Sequence, residues 1–215
     1  MKKIRRLFTL ASILLLAVSV MGQEEEEEEE KWRNFEVSIN SGLTQPGEFL
    51  SDWKDTLGAR IGFNLALSGG YYFNNNFCTG LYFTYTQMNI EGNWDRTFRM
   101  YDMGGYAKYA LTGESNFEPY GKFAVGVIVP KYPTLIPPGV RNQLREQSYD
   151  PGISAALYAG LLYYTSDNGG IFLEAGYHND FLKDVRADYA EDTIEENVKY
   201  FEYRMGITVF YGSEE

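Results

Sequence analysis

An eight-stranded antiparallel up-and-down β-barrel that crosses a membrane is the fold class this sequence predicts, and three observations predict it. The chain opens on a secretion address. The remainder runs in eight stretches of apolar and polar residues alternating with period two. The connections between those stretches are alternately short and long.

The address is read first. Lys2, Lys3, Arg5 and Arg6 precede an uncharged apolar stretch from Leu7 to Met21. That stretch is shorter than the ~20 apolar residues a membrane helix needs, so it reads as a signal peptide and not as an anchor. Cleavage after Gly22 would leave Gln23 as the mature N-terminus, with no cysteine there to carry a lipid. The expected organisation is a signal peptide over 1–22, an acidic disordered segment over 23–33, a barrel over 34–211 and a short tail over 212–215.

The segment 1–22 holds four basic residues and no acidic one of the 19 and 30 in the chain, so the mature protein sets 15 basic residues against 30 acidic ones. A nucleic-acid partner is not expected at that balance. Seven of the acids are the run Glu24 to Glu30, which self-repulsion keeps extended as a solvated spacer. One cysteine, Cys78, makes no internal disulfide, and one histidine, His178, builds no zinc site of the usual two- or three-imidazole kind, so stability is expected to come from elsewhere. The 18 Tyr, 14 Phe and 22 Gly favour strands with close contacts.

Strand one alternates Phe35, Val37, Ile39 and Leu43 with Glu36, Ser38, Asn40 and Gly42. Strand two sets Ala59, Ile61, Phe63, Leu65 and Leu67 against Arg60, Gly62, Asn64 and Ser68. Strand three carries Phe77, Leu81, Phe83 and Tyr85 on one face; strand four carries Tyr101, Met103, Ala107 and Tyr109; strand five carries Phe123, Val125, Val127 and Val129. Strand six runs through Ile153, Leu157 and Leu161, strand seven through Ile171, Leu173 and Tyr177, and strand eight from Phe201 to Tyr211. Short turns at 74–76, 112–116 and 166–169 alternate with long loops at 45–57, 91–97, 130–151 and 182–197. In membrane barrels the short turns face the periplasm and the long loops the outside, and an even strand count returns both termini to the periplasmic side.

Charge decides which face meets lipid. The polar face mixes Arg60, Lys108, Lys122 and Arg204 with Asp102, Glu174 and Glu202 among glycines such as Gly80, Gly126, Gly160 and Gly176. This predicts an enclosed ionic network in a narrow lumen, with Glu174 paired to Lys122 or Arg60. An eight-stranded barrel is just wide enough to be filled by its own side chains, so a plug is expected in place of a pore. The apolar face is free of charge mid-strand and turns aromatic at its ends, with Phe35, Tyr71, Phe73, Phe77, Tyr109, Phe117, Tyr163 and Tyr211 at one rim and Tyr85, Tyr101, Tyr177 and Phe201 at the other. A soluble lipocalin-like barrel would reverse that sense.

With the lumen plugged, function is expected in the loops. The best binding candidate is the Pro130–Pro151 segment, whose Tyr132, Leu135, Ile136 and Tyr149 are read as exposed; Phe49, Trp53 and Trp94 stand in other loops. Catalysis is not expected, because His178 has Asp180 nearby but no serine at a spacing that brings the three together.

At this point the chain resembles the small outer-membrane barrels of the OmpA, OmpX and OmpW type over nearly all of 33–211. Its most specific element is Arg204-Met205-Gly206-Ile207-Thr208-Val209-Phe210-Tyr211, which fits the closing strand that the barrel-assembly machinery reads, through Gly206, Val209 and Tyr211, although four residues follow Tyr211 where the signal usually ends a chain. The resemblance implies a bacterial outer-membrane location, insertion by that machinery, contact with outer-membrane lipids and lipopolysaccharide, and no cofactor. It leaves open a surface-binding role through an unidentified protein partner, a narrow conduit for small hydrophobic molecules, an accessory of a secretion system, or lipid A modification.

Overall fold

The computed structural model describes residues 33–52, 58–90, 93–113, 115–135, 144–186, 194 and 196–212, without the side chains of 93–96, 134–135 and 144–146. The signal peptide, the glutamate run, Trp53 and Ile136 lie outside the described residues, as do the side chains of Trp94 and Leu135.

Nine strands and one helical turn follow in order: β1 (Phe35–Pro46), α1 (Glu48–Ser51), β2 (Ala59–Tyr72), β3 (Phe77–Ile90), β4 (Asn93–Ala110), β5 (Phe117–Leu135), β6 (Leu144–Ser148), β7 (Gly152–Ser166), β8 (Gly169–Phe181) and β9 (Val198–Tyr211). Every pairing is antiparallel between neighbours in the barrel, and β1 pairs with β2 on one side and β9 on the other, closing the sheet through eight strands. Closure removes the open edges that a free sheet would present. The connections after β2, β4 and β7 lie with the two ends of the barrel chain at one end, here the turn end; the longer ones lie at the opposite, loop end.

The alternation read from sequence is the alternation of burial. In β9 every second residue from Val198 to Tyr211 is buried and its neighbours exposed. Leu81, Ile39, Met205, Leu157 and Ile207 are each more than half exposed on the outer wall. A wall of this kind is stable only against lipid. At the turn end the outward rings form a girdle, with Phe35 5.1 Å from Tyr71, Tyr71 5.3 Å from Phe73, and Phe117 4.9 Å from Tyr163. At the loop end Tyr85 lies 5.3 Å from Tyr101 and Tyr177 5.1 Å from Phe201.

Three segments depart from the sequence reading. The Pro130–Pro151 segment is in good part a β-hairpin: β5 continues to Leu135, and β6 pairs back on it from Lys131↔Ser148 to Leu135↔Leu144. Pro133 stands beyond the pairing with β4, which ends at Arg99↔Lys131, so its missing N–H breaks no ladder bond on that side, whereas Pro130 lies at the end of that pairing, opposite Met100. The segment 91–97 is not a long loop either, since β4 begins at Asn93 and its first residues pair with β3 around a bulge between Asn89 and Ile90. Inside the 45–57 loop, α1 buries Leu50 against the barrel's loop-end interior.

Candidate functional site

The lumen is the most heavily built part of the molecule, and the pleat explains how. Glycines on the inner face give room to rings from the neighbouring strand: a Cβ on Gly160 would strike the Tyr120 ring, and one on Gly176 would strike the Tyr158 ring. The tyrosines so seated point their hydroxyls at carboxylates across the barrel.

Four ion-pair layers climb from the turn end. Arg33, just before β1, enters the mouth, donates to both carboxylate oxygens of Glu118 at 3.1 and 2.6 Å and to the Asn75 carbonyl at 2.8 Å, and lies 4.5 Å from the Tyr72 ring centre. Burial lowers the pKa of this guanidinium, but the hydrogen bond and charge of Glu118, with Tyr72 and Tyr164 beside it, carry the pKa above the ordinary arginine value. Next, Glu36 accepts from Lys108, from Tyr106 at 2.7 Å and from Tyr72 at 2.8 Å. At mid-height Lys122 is 2.5 Å from Glu174, which also accepts from Tyr120 at 3.1 Å and has Arg204 at 3.7 Å. Above it Glu202 takes Arg204 and the His178 Nε2 at 2.7 Å, with the Tyr158 hydroxyl 2.5 Å from the same ring nitrogen. Buried pairs of this kind offset their desolvation cost only when hydrogen bonds complete the geometry, and here tyrosines complete it.

The spaces left between these groups are small. The cavity among Tyr82, Lys122 and Arg204 measures about 10 Å3 and that among Glu36, Lys108 and Phe172 about 20 Å3. Each has room for a single water at most, since one water fills ~10–15 Å3 of such space.

Toward the loop end the chemistry changes. Asp102 accepts from Ser154 at 2.7 Å and from Tyr82 at 3.1 Å. Above it an apolar cluster of Leu50, Met88, Phe98, Met100, Ile128, Tyr132, Tyr149, Leu182, Ile194, Val198 and Tyr200 closes the mouth, drawing on α1, the β5–β6 hairpin and the segment after β8. Tyr132 lies 5.2 Å from Phe98 and 5.7 Å from Tyr149.

The structure brings together Asp102, Lys108, Lys122, Glu174, Glu202 and Arg204 on the inner face, as the alternation predicts. It does not bring in Arg60. A bulge between Ala59 and Gly62 inserts one residue into β2, so Arg60 and Ile61 both face outward and Glu174 meets Lys122 and Arg204. Tyr132 and Tyr149 are likewise not exposed; both are fully buried, because the hairpin folds their rings over the barrel mouth. Sequence reasoning missed Arg33, placed in the acidic spacer, as a lumen residue, although it stands two positions before Phe35 and leads directly into the strand. It missed Glu118 for a similar reason, since the turn before β5 hid the strand's first residues. His178 is buried against Tyr158, Glu202 and the stacked ring of Tyr200, 4.4 Å away. Ser154 donates to Asp102, so no serine–histidine pair forms among the described residues.

Gly206 sits on the inner face beneath the Phe172 ring, while Val209 and Tyr211 face outward on β9, the closing strand that pairs with β1.

The fold has solved counterparts. Neisserial surface protein A superposes with a TM-score of 0.55 at 19% identity, over 82% of this chain and 97% of its own. The outer membrane protein OprG from Pseudomonas aeruginosa superposes with a TM-score of 0.52 at 13% identity, over 85% and 98%. At these identities the likeness is one of fold. No curated protein matches the sequence. A model of the outer membrane protein beta-barrel domain matches residues 9–148, and with the closed eight-stranded wall, its lipid-facing apolar surface and its aromatic rims, the chain belongs to that family of outer-membrane barrels.

Proposed function

We propose that this protein is a non-enzymatic outer-membrane barrel whose filled lumen passes no solute and whose loop end is a rigid surface for binding. The observation that carries this reading is the interior: ion pairs stacked from Arg33 to Glu202, cavities of about 10 and 20 Å3 between them, and an apolar cap above. A conduit for hydrophobic molecules would want an open apolar passage, and the charged layers oppose one.

In this reading both termini and the tight turns face the periplasm, and the barrel-assembly machinery inserts the chain through Gly206, Val209 and Tyr211. Lipopolysaccharide surrounds the outward wall, and a protein partner meets the loops. Tyr132 and Tyr149 serve this surface from beneath, by holding the β5–β6 hairpin, while Leu135 and Ile136 remain the candidates for contact.

The experiment is single-channel recording on the refolded protein in planar bilayers, paired with protease shaving of intact cells. A silent bilayer and cleavage within 136–143 support the reading. Stable conductance steps sink the plug, and protection of that segment in intact cells with cleavage only after the envelope is opened sinks the topology.

A further inference from the structure

Four of the lumen carboxylates, Glu36, Glu118, Glu174 and Glu202, each have a lysine or arginine within ion-pair distance. Asp102 and Asp180 have none among the described residues. Asp180 is fully buried, and neither of its carboxylate oxygens has a hydrogen-bond partner among the described residues. The Tyr200 hydroxyl lies near it without completing a bond. Two residues back on the same face of β8, His178 has its Nε2 engaged by Glu202 and Tyr158, and its Nδ1 is buried and unpartnered.

Among the described residues, the surroundings of Asp180 supply no cation to cancel its charge. Ser154 stands opposite it on β7 and is already spent on Asp102. Asp102 on β4, Glu202 on β9 and the tyrosines Tyr82 on β3, Tyr132 on β5 and Tyr200 on β9 are the other titratable groups that sense its charge. An ionised, unpaired carboxylate in such a place costs far more than a neutral one, so the group takes up a proton instead.

We infer that Asp180, with Asp102 beside it, is a buried proton-binding site that latches the loop-end cap. Its place in the fold gives the latch its effect. Asp180 is the last inward-facing residue of β8, next to Leu182, and its charge is felt by Tyr132 and Tyr200, two rings of the apolar cluster that holds α1, the β5–β6 hairpin and the segment after β8 together. A neutral carboxyl is compatible with that dry contact. When the proton leaves to solvent, the carboxylate needs water or a cation, and the way to either is to lift the cap. The closed form binds the proton more tightly than the open one, so by linkage closure is favoured at low pH and is lost as pH rises through the ionisation of Asp180. The barrel below, with its own paired charges, does not take part. The inference concerns the cap alone and holds whichever way the barrel faces.

The test uses the full mature chain refolded in lipid bilayers, with Asp180→Asn, which keeps the shape and removes the charge, and Asp102→Asn as the second variant. Two signals are read from mildly acidic to alkaline pH: the infrared carbonyl band of a protonated carboxyl, and the rate of tryptic cleavage at Lys183 and Arg186, normalised to an unfolded substrate. Wild type should show the protonated band at acidic pH and lose it as cleavage rises at least tenfold. Asp180→Asn should lack the band and be cleaved slowly throughout. Wild type without a protonated band, or with the same pH dependence of cleavage as Asp180→Asn, overturns the latch; so does a cleavage rise that added sodium or calcium suppresses at alkaline pH, because the site would then be one for a metal cation. If Asp180→Asn does not refold, Asp102→Asn decides, since the loss of a neighbouring charge should move the rise in cleavage, and an unmoved rise overturns the shared site.

Discussion

Arg33 and Glu118, 85 residues apart in sequence, meet inside the turn-end mouth with the guanidinium on both carboxylate oxygens. The contact ties the residue that leads into β1 to the second residue of β5, on the far side of the barrel, and so braces the end opposite the cap. Removing Glu118 strands the guanidinium among the rings of Tyr72, Tyr164 and Phe210, and removing Arg33 strands the buried Glu118 carboxylate without a cation among the described residues, with the Tyr164 hydroxyl still donating to it. Arg33→Ala should therefore lower the unfolding free energy in urea by about 3–5 kcal/mol, the usual cost of stranding a buried charge. Replacing Arg33 and Glu118 together by Leu and Met should recover most of that loss, as a double-mutant cycle in lipid vesicles would show.

Glycine positions offer a sharper contrast. Gly176 faces the Tyr158 ring, whereas a Cβ added to Gly121, on the outer wall of β5, would meet nothing within 4 Å. Gly176→Ala should push Tyr158 off His178 and Glu202 and cost about 1–3 kcal/mol as overpacking. Gly121→Ala should be close to neutral. Heat-modifiable gel mobility scored against temperature checks both: the folded band of Gly176→Ala should disappear at lower temperature than wild type, and that of Gly121→Ala should not.

How much of this was legible beforehand follows from where period two holds. It holds without a break from Val198 to Tyr211, and the inward places of Glu202 and Arg204 were readable there. It fails at the bulge before Gly62, because one inserted residue reverses the parity of everything before it, and so Arg60 was misread. The burial of Tyr132 and Tyr149 was hidden for another reason. Their prolines signal a loop, and only the pairing of β5 with β6, a tertiary fact, turns those rings over the mouth. The partnering of Glu174 was half readable: parity gives which residues face inward, but not which of several cations at similar height a carboxylate reaches.

The outer wall yields a graded expectation. Met205 is more than half exposed at mid-strand of β9, and Ile61 is similarly exposed near the loop-end rim of β2. Met205→Arg should cost about 2–4 kcal/mol and Ile61→Arg about 0–1 kcal/mol, the difference between midplane and interface. Equilibrium refolding into vesicles measures both. Equal costs at the two sites would mean that this wall does not face lipid.

The cap and the barrel should come apart under mutation, because they draw on different forces. The barrel is held by inter-strand bonds around a closed sheet and by ion pairs within it, whereas the cap is held by apolar contact among Tyr132, Tyr149, Tyr200, Phe98 and Leu182. Tyr132 is the ring that joins the two neighbours Phe98 and Tyr149, and its hydroxyl donates to the Met100 sulfur at 3.6 Å. Tyr132→Ala should remove about 3–5 kcal/mol from whatever unit Tyr132 stabilises, by the usual cost of deleting a buried aromatic ring. If that unit is the cap, hydrogen exchange of the β6 amides should rise steeply while the amides of β9 stay as protected as in wild type, and the heat-modifiable shift should be unchanged. Tyr132→Phe should lose far less, since it keeps the ring contacts with Phe98 and Tyr149 and gives up only what the hydroxyl makes, such as its bond to the Met100 sulfur. A uniform loss of protection through β9 would show instead that the cap and the barrel unfold as one unit, and that the loop end is no separable lid on a preformed wall.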